Sequence, residues 1–203
     1  KTVSTCYETA MHLTGRYPSW WQGKRFDKPV NVMMAGEGWT QVALVLQNEM
    51  LGTNDVKIQE SLGSGAIPRD CIVTDTMRND GANCMGVEIK HKSGTNSYLL
   101  FANYTQEVRQ MQGFKLNIAV FDEQPPDDFF SEIVTRTATT QGQVLCSFTP
   151  LKGLNGLVSK FWNNENGYEH IRVAWEDVPE YDAWGEPFLL KETRRQLERD
   201  YLP

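Results

Sequence analysis

Residues 116–123 read Leu-Asn-Ile-Ala-Val-Phe-Asp-Glu, and this octapeptide decides the fold class. Ile118, Ala119, Val120 and Phe121 are apolar in succession, the mark of a strand covered on both faces. Asp122 and Glu123 emerge together at its carboxyl end, and Gln124, Pro125 and Pro126 turn the chain out of the sheet directly afterwards. In such sheets ligands sit beyond the carboxyl ends of the strands. Two carboxylates at that place suit hydrolysis of a nucleoside triphosphate, which needs one acid near Mg²⁺ and another beside the attacking water. Asp122 takes the first role and Glu123 the second. An ordinary strand followed by a solvated acid pair has the same local pattern, so the neighbouring segments must decide.

Downstream, Pro125 to Gly142 starts with prolines and acids, as a helix N-terminus does, and then carries apolar residues at helical spacing. Gln143 to Pro150, QVLCSFTP, reads as a further buried strand, one helix and a turn after the acids. Its tip carries Ser147, Phe148 and Thr149, whose hydroxyls suit sensing of a γ-phosphate. The glycines of the following LKGLNG, Gly153 and Gly156, together with Asn155, give that loop freedom to respond. A plain core strand ending in a turn fits the same residues. Beyond it, HIRVAW (170–175) reads as a last strand and residues 187–203 as a charged amphipathic helix.

Upstream, Val3, Cys6, Ala10 and Leu13 recur at helical spacing, and Gly15 ends the helix. Val30 to Gly36 is a short apolar strand, and residues 38–52 form a helix closed by Gly52. Cys71 to Val73 is a brief strand. VEIKHK and SYLLFANY alternate in polarity around Ser-Gly-Thr-Asn and predict a hairpin. A short helix spans Gln106 to Gln112. Strands alternating with helices argue for a largely parallel sheet with helices on both faces.

Lys1 and Thr2 stand directly before the first helix. A phosphate-binding loop ends in Gly-Lys-Ser/Thr at a helix N-terminus, the lysine reaching β- and γ-phosphates and the hydroxyl ligating Mg²⁺. A Lys-Thr pair is common at any position, and the loop's glycines are not in this sequence. The order of downstream elements supports the assignment: a helix, then a strand, then acids on a later strand.

Composition narrows the classes. Of 203 residues 40% are hydrophobic, with six Trp and nine Phe, so a full core can be built. No run approaches the roughly 18 apolar residues of a membrane span, and the first residues do not form a secretory leader. A soluble, cytoplasmic protein without membrane contact is expected. Cys6, Cys71, Cys84 and Cys146 form no Cys-x-x-Cys pair, and His12, His91 and His170 are isolated, which leaves a zinc site unsupported. The net charge of −6 excludes a broadly basic face for the outside of a DNA duplex. Tyr17, Trp20 and Trp21 lie in a long loop, as packing onto the core or as an exposed stacking platform.

Four segments in order carry a resemblance: AMHLTGRYPSWWQGKRFDKPV (10–30), GSGAIPRD (63–70), AVFDEQPP (119–126) and SFTPLKGLNG (147–156). Together they resemble the large terminase subunit of tailed bacteriophages, over nearly the whole chain. The resemblance implies a P-loop NTPase-type three-layer α/β sandwich, of the class with an additional strand beside the P-loop. It also implies ATP and Mg²⁺ as ligands. Lys1 and Thr2 fall on the end of that family's phosphate-binding loop, with Thr2 and Asp122 as Mg²⁺ ligands. Asp122 and Glu123 fall on its acid pair, and Ser147, Phe148 and Thr149 on its coupling motif.

An arginine that reaches the γ-phosphate is left open between Arg109, three residues before Gln112, and Arg136 on the helix after the acids. The partners implied are double-stranded viral DNA, a portal protein, a small terminase subunit and further copies in a ring. The implied location is the procapsid portal in the host cell. The family's C-terminal nuclease domain has no counterpart in these residues. Residues 1–175 are expected to form the ATPase core and 176–203 a helical linker. A helicase-like, nucleic-acid-stimulated ATPase and a nucleotide-incompetent remnant of the fold are the alternatives.

Overall fold

The computed structural model describes residues 1–52, 61–81, 83–106, 114–150, 156–164 and 169–173. The chain divides into two compact units, Lys1–Gly156 and Leu157–Pro203. In the first, helix α1 spans Thr2–Thr14 and ends at Gly15, whose φ of 67° is the left-handed value that favours glycine. Strand β1 (Asn31–Gly36) follows. The expected single helix over 38–52 is three pieces: α2 (Trp39–Gln41), a π-helical stretch Val42–Gln47, and α3 (Asn48–Leu51).

After a 3-10 turn at Arg69–Cys71 come β2 (Ile72–Asp80), β3 (Asn83–Lys90) and β4 (Asn96–Asn103). Then come β5 (Ile118–Asp122), α4 (Asp127–Ala138) and β6 (Gln143–Ser147). The order of the sheet is β2-β3-β4-β1-β5-β6. β4, β1, β5 and β6 run parallel, while β2–β3 and β3–β4 are antiparallel.

Alternation along the central strands separates the two faces. Val32, Met34, Ile118 and Val120 pack with Cys6, Ala10 and Leu13 of α1 and with Val42, Leu46, Met50 and Leu51. The opposite face presents Phe121 to α4, where Phe129 and Phe130 place their rings 6.2 and 5.4 Å from it. Every residue of β5 is buried, as a strand with apolar neighbours on both faces must be. The sheet is therefore the middle of three layers, as expected.

Three expectations are corrected. β2 runs well past Val73, because its second half goes on pairing with β3 at the edge of the sheet, with register shifts between Val73 and Asn79. Thr76 spans the irregularity, its hydroxyl donating to Val73 O at 2.7 Å and accepting from Glu88 N–H at 3.0 Å. β6 is half-buried along its length rather than buried, since among the described residues it has a single neighbour, β5. Residues 170–173 form no strand, and Ile171 and Val173 are exposed. A β-prone sequence becomes a strand only against a partner, and among the described residues these have none.

The second unit contributes α5 (Gly156–Trp162), and the Arg172 guanidinium lies 5.4 Å from the centroid of the Trp162 ring. The helix expected at 187–203, all but Gln106 of the helix expected at 106–112, and the loop 151–155 fall outside the described residues. No helix among the described residues is long and apolar enough to cross a membrane.

Candidate active site

The parallel strands aim their carboxyl ends at the N-terminus of α1. β5 delivers Asp122 and Glu123 there, and β6 delivers Ser147, paired in register with Asp122. Beyond β6 the chain continues through Phe148 to Thr149.

Thr2 and Asp122 meet directly: the hydroxyl donates to Oδ1 at 2.7 Å. Lys1 Nζ forms an ion pair with Glu123 Oε1 and donates to Thr149 Oγ1 at 3.2 Å. The Thr149 amide donates to Glu123 Oε2 at 3.4 Å, and the Glu123 amide to Ser147 O at 2.9 Å. Lys1, Thr2, Asp122, Glu123 and Thr149 thus form one bonded cluster. Ser147 contributes its carbonyl; its buried hydroxyl has no protein partner among the described residues.

Asp122 is only 3% exposed, and the groups bonded to its carboxylate, from Thr2 and Gln41, are neutral. Burial, the largest influence, pushes its pKa up, and Glu123 pushes the same way; Thr2, Lys1 and Gln41 oppose. A buried carboxylate with neutral bonded partners, beside a hydroxyl, has the oxygen chemistry that a hard cation takes. Mg²⁺ takes one or two protein oxygens and completes its shell with phosphate and water, so Thr2 and Asp122 fit it.

Two contributors are not apparent from the sequence. Gln41 Nε2 donates to Asp122 Oδ2 at 2.7 Å while its Oε1 accepts the Glu37 amide at 3.0 Å. It stands at the junction of α2 with the π-helical stretch, a backbone form common at functional sites. Gly36 makes room for it: a Cβ there would lie 2.2 Å from Gln41 Oε1. The available signal was a polar residue one turn into the helix that follows the strand beside β5. The second contributor is Tyr104, just past β4, whose hydroxyl reaches the main chain of Asp122 and Glu123.

Other expected residues lie elsewhere. Arg136 occupies the last turn of α4 and pairs with Glu132 at 2.7 Å. α4 leads from the acids back to the amino ends of the strands, where Thr140 bonds Leu116 O, which sets Arg136 towards the end of the sheet opposite the acids. Arg109 lies outside the described residues. Phe148 lies between Ser147 and Thr149 in the segment that follows β6.

In the aromatic loop, Tyr17 Oη lies 3.0 Å from His12 Nδ1 and accepts the Phe26 amide at 2.8 Å. Trp21 packs its ring 6.0 Å from His12 and stacks on Tyr17. These two fasten the loop to α1, whereas Trp20 is 70% exposed.

Comparison with known proteins identifies the family. The family described as terminase large subunit, T4likevirus-type, N-terminal, matches residues 1–203. The large terminase subunit of Salmonella phage P22 is 30% identical over 189 residues, covering 84% of this chain and 38% of that protein. Two solved structures of the large terminase of a thermophilic bacteriophage align with the whole chain and with 43% and 42% of theirs. Their TM-scores are 0.63 and 0.58 at 15% and 17% identity, and the second is a complex with ADP. The chain spans well under half the length of these relatives. It belongs to the phage terminase large-subunit family, and its 203 residues match that family's N-terminal region.

Proposed function

We propose that this chain is the ATP-hydrolysing motor portion of a DNA-packaging terminase, driving double-stranded viral DNA into a procapsid. The ATPase core of this reading is residues 1–175, and the partners are the portal, a small terminase subunit and further copies in a ring. One observation carries the reading: Lys1, Thr2, Asp122, Glu123 and Thr149 are bonded together at the carboxyl end of the sheet. The family match over the whole chain favours packaging over a helicase-like ATPase, and ADP in a structure of the thermophilic phage terminase supports adenine nucleotide as the ligand.

ATP would bind with its β- and γ-phosphates at the N-terminus of α1, where the helix dipole and backbone amides favour an anion. Phosphate oxygens compete with Glu123 and Thr149 for the Lys1 ammonium. Thr2 and Asp122 would hold Mg²⁺, which would supply positive charge to offset that of the phosphates. Released from Lys1, Glu123 accepts a proton from water as the water oxygen attacks the γ-phosphorus. The bond from that phosphorus to the β–γ bridging oxygen breaks, and ADP and phosphate leave. Lys1 stabilises the charge that builds on the transferred group. Thr149 touches both Lys1 and Glu123, and so registers whether phosphate is present.

The test is Glu123→Gln in the full-length protein, assayed for ATP binding, ATP turnover and DNA movement. Turnover should fall by a factor of about 10²–10⁴ with binding nearly intact. Near-normal turnover would remove Glu123 from the mechanism.

A further inference from the structure

Glu123 has φ of 65°, a left-handed conformation that a glutamate seldom adopts and that costs on the order of 1 kcal/mol or more. Something must hold it there. Its amide is tied to Ser147 O. Its carbonyl lies 2.8 Å from the hydroxyl of Tyr104, which also lies 2.9 Å from Asp122 O and 3.2 Å from Ala35 O. One phenolic proton thus faces three carbonyl oxygens at the tips of β1 and β5.

The ring itself is fixed. Phe121 and Phe129 pack on it with centroids 6.4 and 5.3 Å away, and the Tyr104 amide donates to Gly36 O at 2.9 Å. Asn103 locks the turn behind it, accepting from the Thr105 amide at 2.9 Å and the Thr105 hydroxyl at 2.7 Å.

We infer that Tyr104 is a positioning residue: its hydroxyl clasps the carbonyls of Asp122 and Glu123 and holds Glu123 in the left-handed conformation that aims its carboxylate across the crevice. In that conformation the carboxylate reaches Lys1 and the Thr149 amide. In an ordinary extended conformation the residue after Asp122 would continue the alternation of β5 and point its side chain elsewhere. The inference rests on the reading of Glu123 as the residue that positions water.

The test compares Tyr104→Phe, Phe129→Leu and Glu123→Gln in the full-length protein. Tyr104→Phe keeps the ring and removes the clasp. It should lower kcat about ten- to a hundredfold, as sub-ångström to 1 Å misplacement of a reacting group does, with KM for ATP within about twofold. Hydrogen exchange at the Glu123 amide should quicken while exchange along β1 is unchanged. Phe129→Leu loosens the same packing but leaves the hydroxyl, and should lower the melting temperature while lowering kcat clearly less than Tyr104→Phe does. The inference is overturned by normal kcat in Tyr104→Phe alongside an inactive Glu123→Gln. It is overturned equally if Phe129→Leu loses kcat to the same extent, or if Tyr104→Phe unfolds where Phe129→Leu stays folded. An active Glu123→Gln instead overturns the reading beneath it.

Discussion

The hydroxyl of Thr2 donates to Asp122 Oδ1 at 2.7 Å, joining the first turn of α1 to the tip of β5 across 120 residues of sequence. In the proposed reading these two oxygen donors act as one ligand set. Thr2→Ala or Asp122→Asn should each weaken Mg²⁺-dependent nucleotide binding by roughly 1.5–3 kcal/mol. The double variant should be little worse than either single one, because the second change removes a ligand from a set already broken. Calorimetric titration with nucleotide at several Mg²⁺ concentrations measures this; simple additivity would mean that the two do not share a cation.

Asp122 also makes stability depend on pH. Burial raises its pKa above the usual 3.8, so the folded chain holds that proton more tightly than the unfolded chain. Its contribution is full below 3.8 and is lost as pH climbs through the higher folded value. Denaturation midpoints in metal-free buffer should therefore show a downward component over that interval, absent from Asp122→Asn. An identical pH profile in that variant would show that Asp122 titrates as if exposed.

Gly36→Ala should reproduce the loss of Gln41 without touching it. The new methyl would occupy the place of Gln41 Oε1 and swing its amide away from Asp122. Partners that orient a metal ligand are worth about 10–100-fold in metal affinity. The Mg²⁺ concentration for half-maximal nucleotide binding should rise by that factor in Gly36→Ala and in Gln41→Ala alike. Wild-type behaviour of Gly36→Ala beside an impaired Gln41→Ala would contradict the packing argument.

Thr149→Ala removes the oxygen that Lys1 shares but keeps the backbone amide on Glu123. ATP affinity should change little, while DNA moved per ATP hydrolysed should drop, consistent with about 0.5–2 kcal/mol of coupling. Parallel measurement of ATP turnover and packaging rate decides it; equal losses in binding and movement would make Thr149 an ordinary ligand contact.

The sheet centre was legible because a run such as Ile118 to Phe121 has one physical solution, burial on both faces. The meeting of Thr149 with the acids followed from the same premise, since parallel strands send their ends to one side, whereas Lys1 and Thr2 were placed by the phosphate-loop pattern and the family resemblance. Gln41 was not legible: a glutamine early in a helix reads as solvated until the strand beside it is known to end in Asp122. Tyr104 closes the FANY strand and looks like one more aromatic on a sheet; its role depends on three carbonyls from other strands. The outer half of β2, Thr74 to Asp80, is polar apart from Met77, so nothing in its hydropathy announces a strand.

The mixed sheet also sets an order of assembly. β2, β3 and β4 are consecutive and antiparallel, so their pairings close short loops and form quickly. The bonds that bring β1 to the start of β5 join residues 86 apart, and the Lys1–Thr149 contact joins residues 148 apart. A chain emerging from the ribosome has its hairpin arm before Thr149 exists to meet Lys1. The contacts that join the proposed site thus close over the longest separations, after the pairings of β2, β3 and β4.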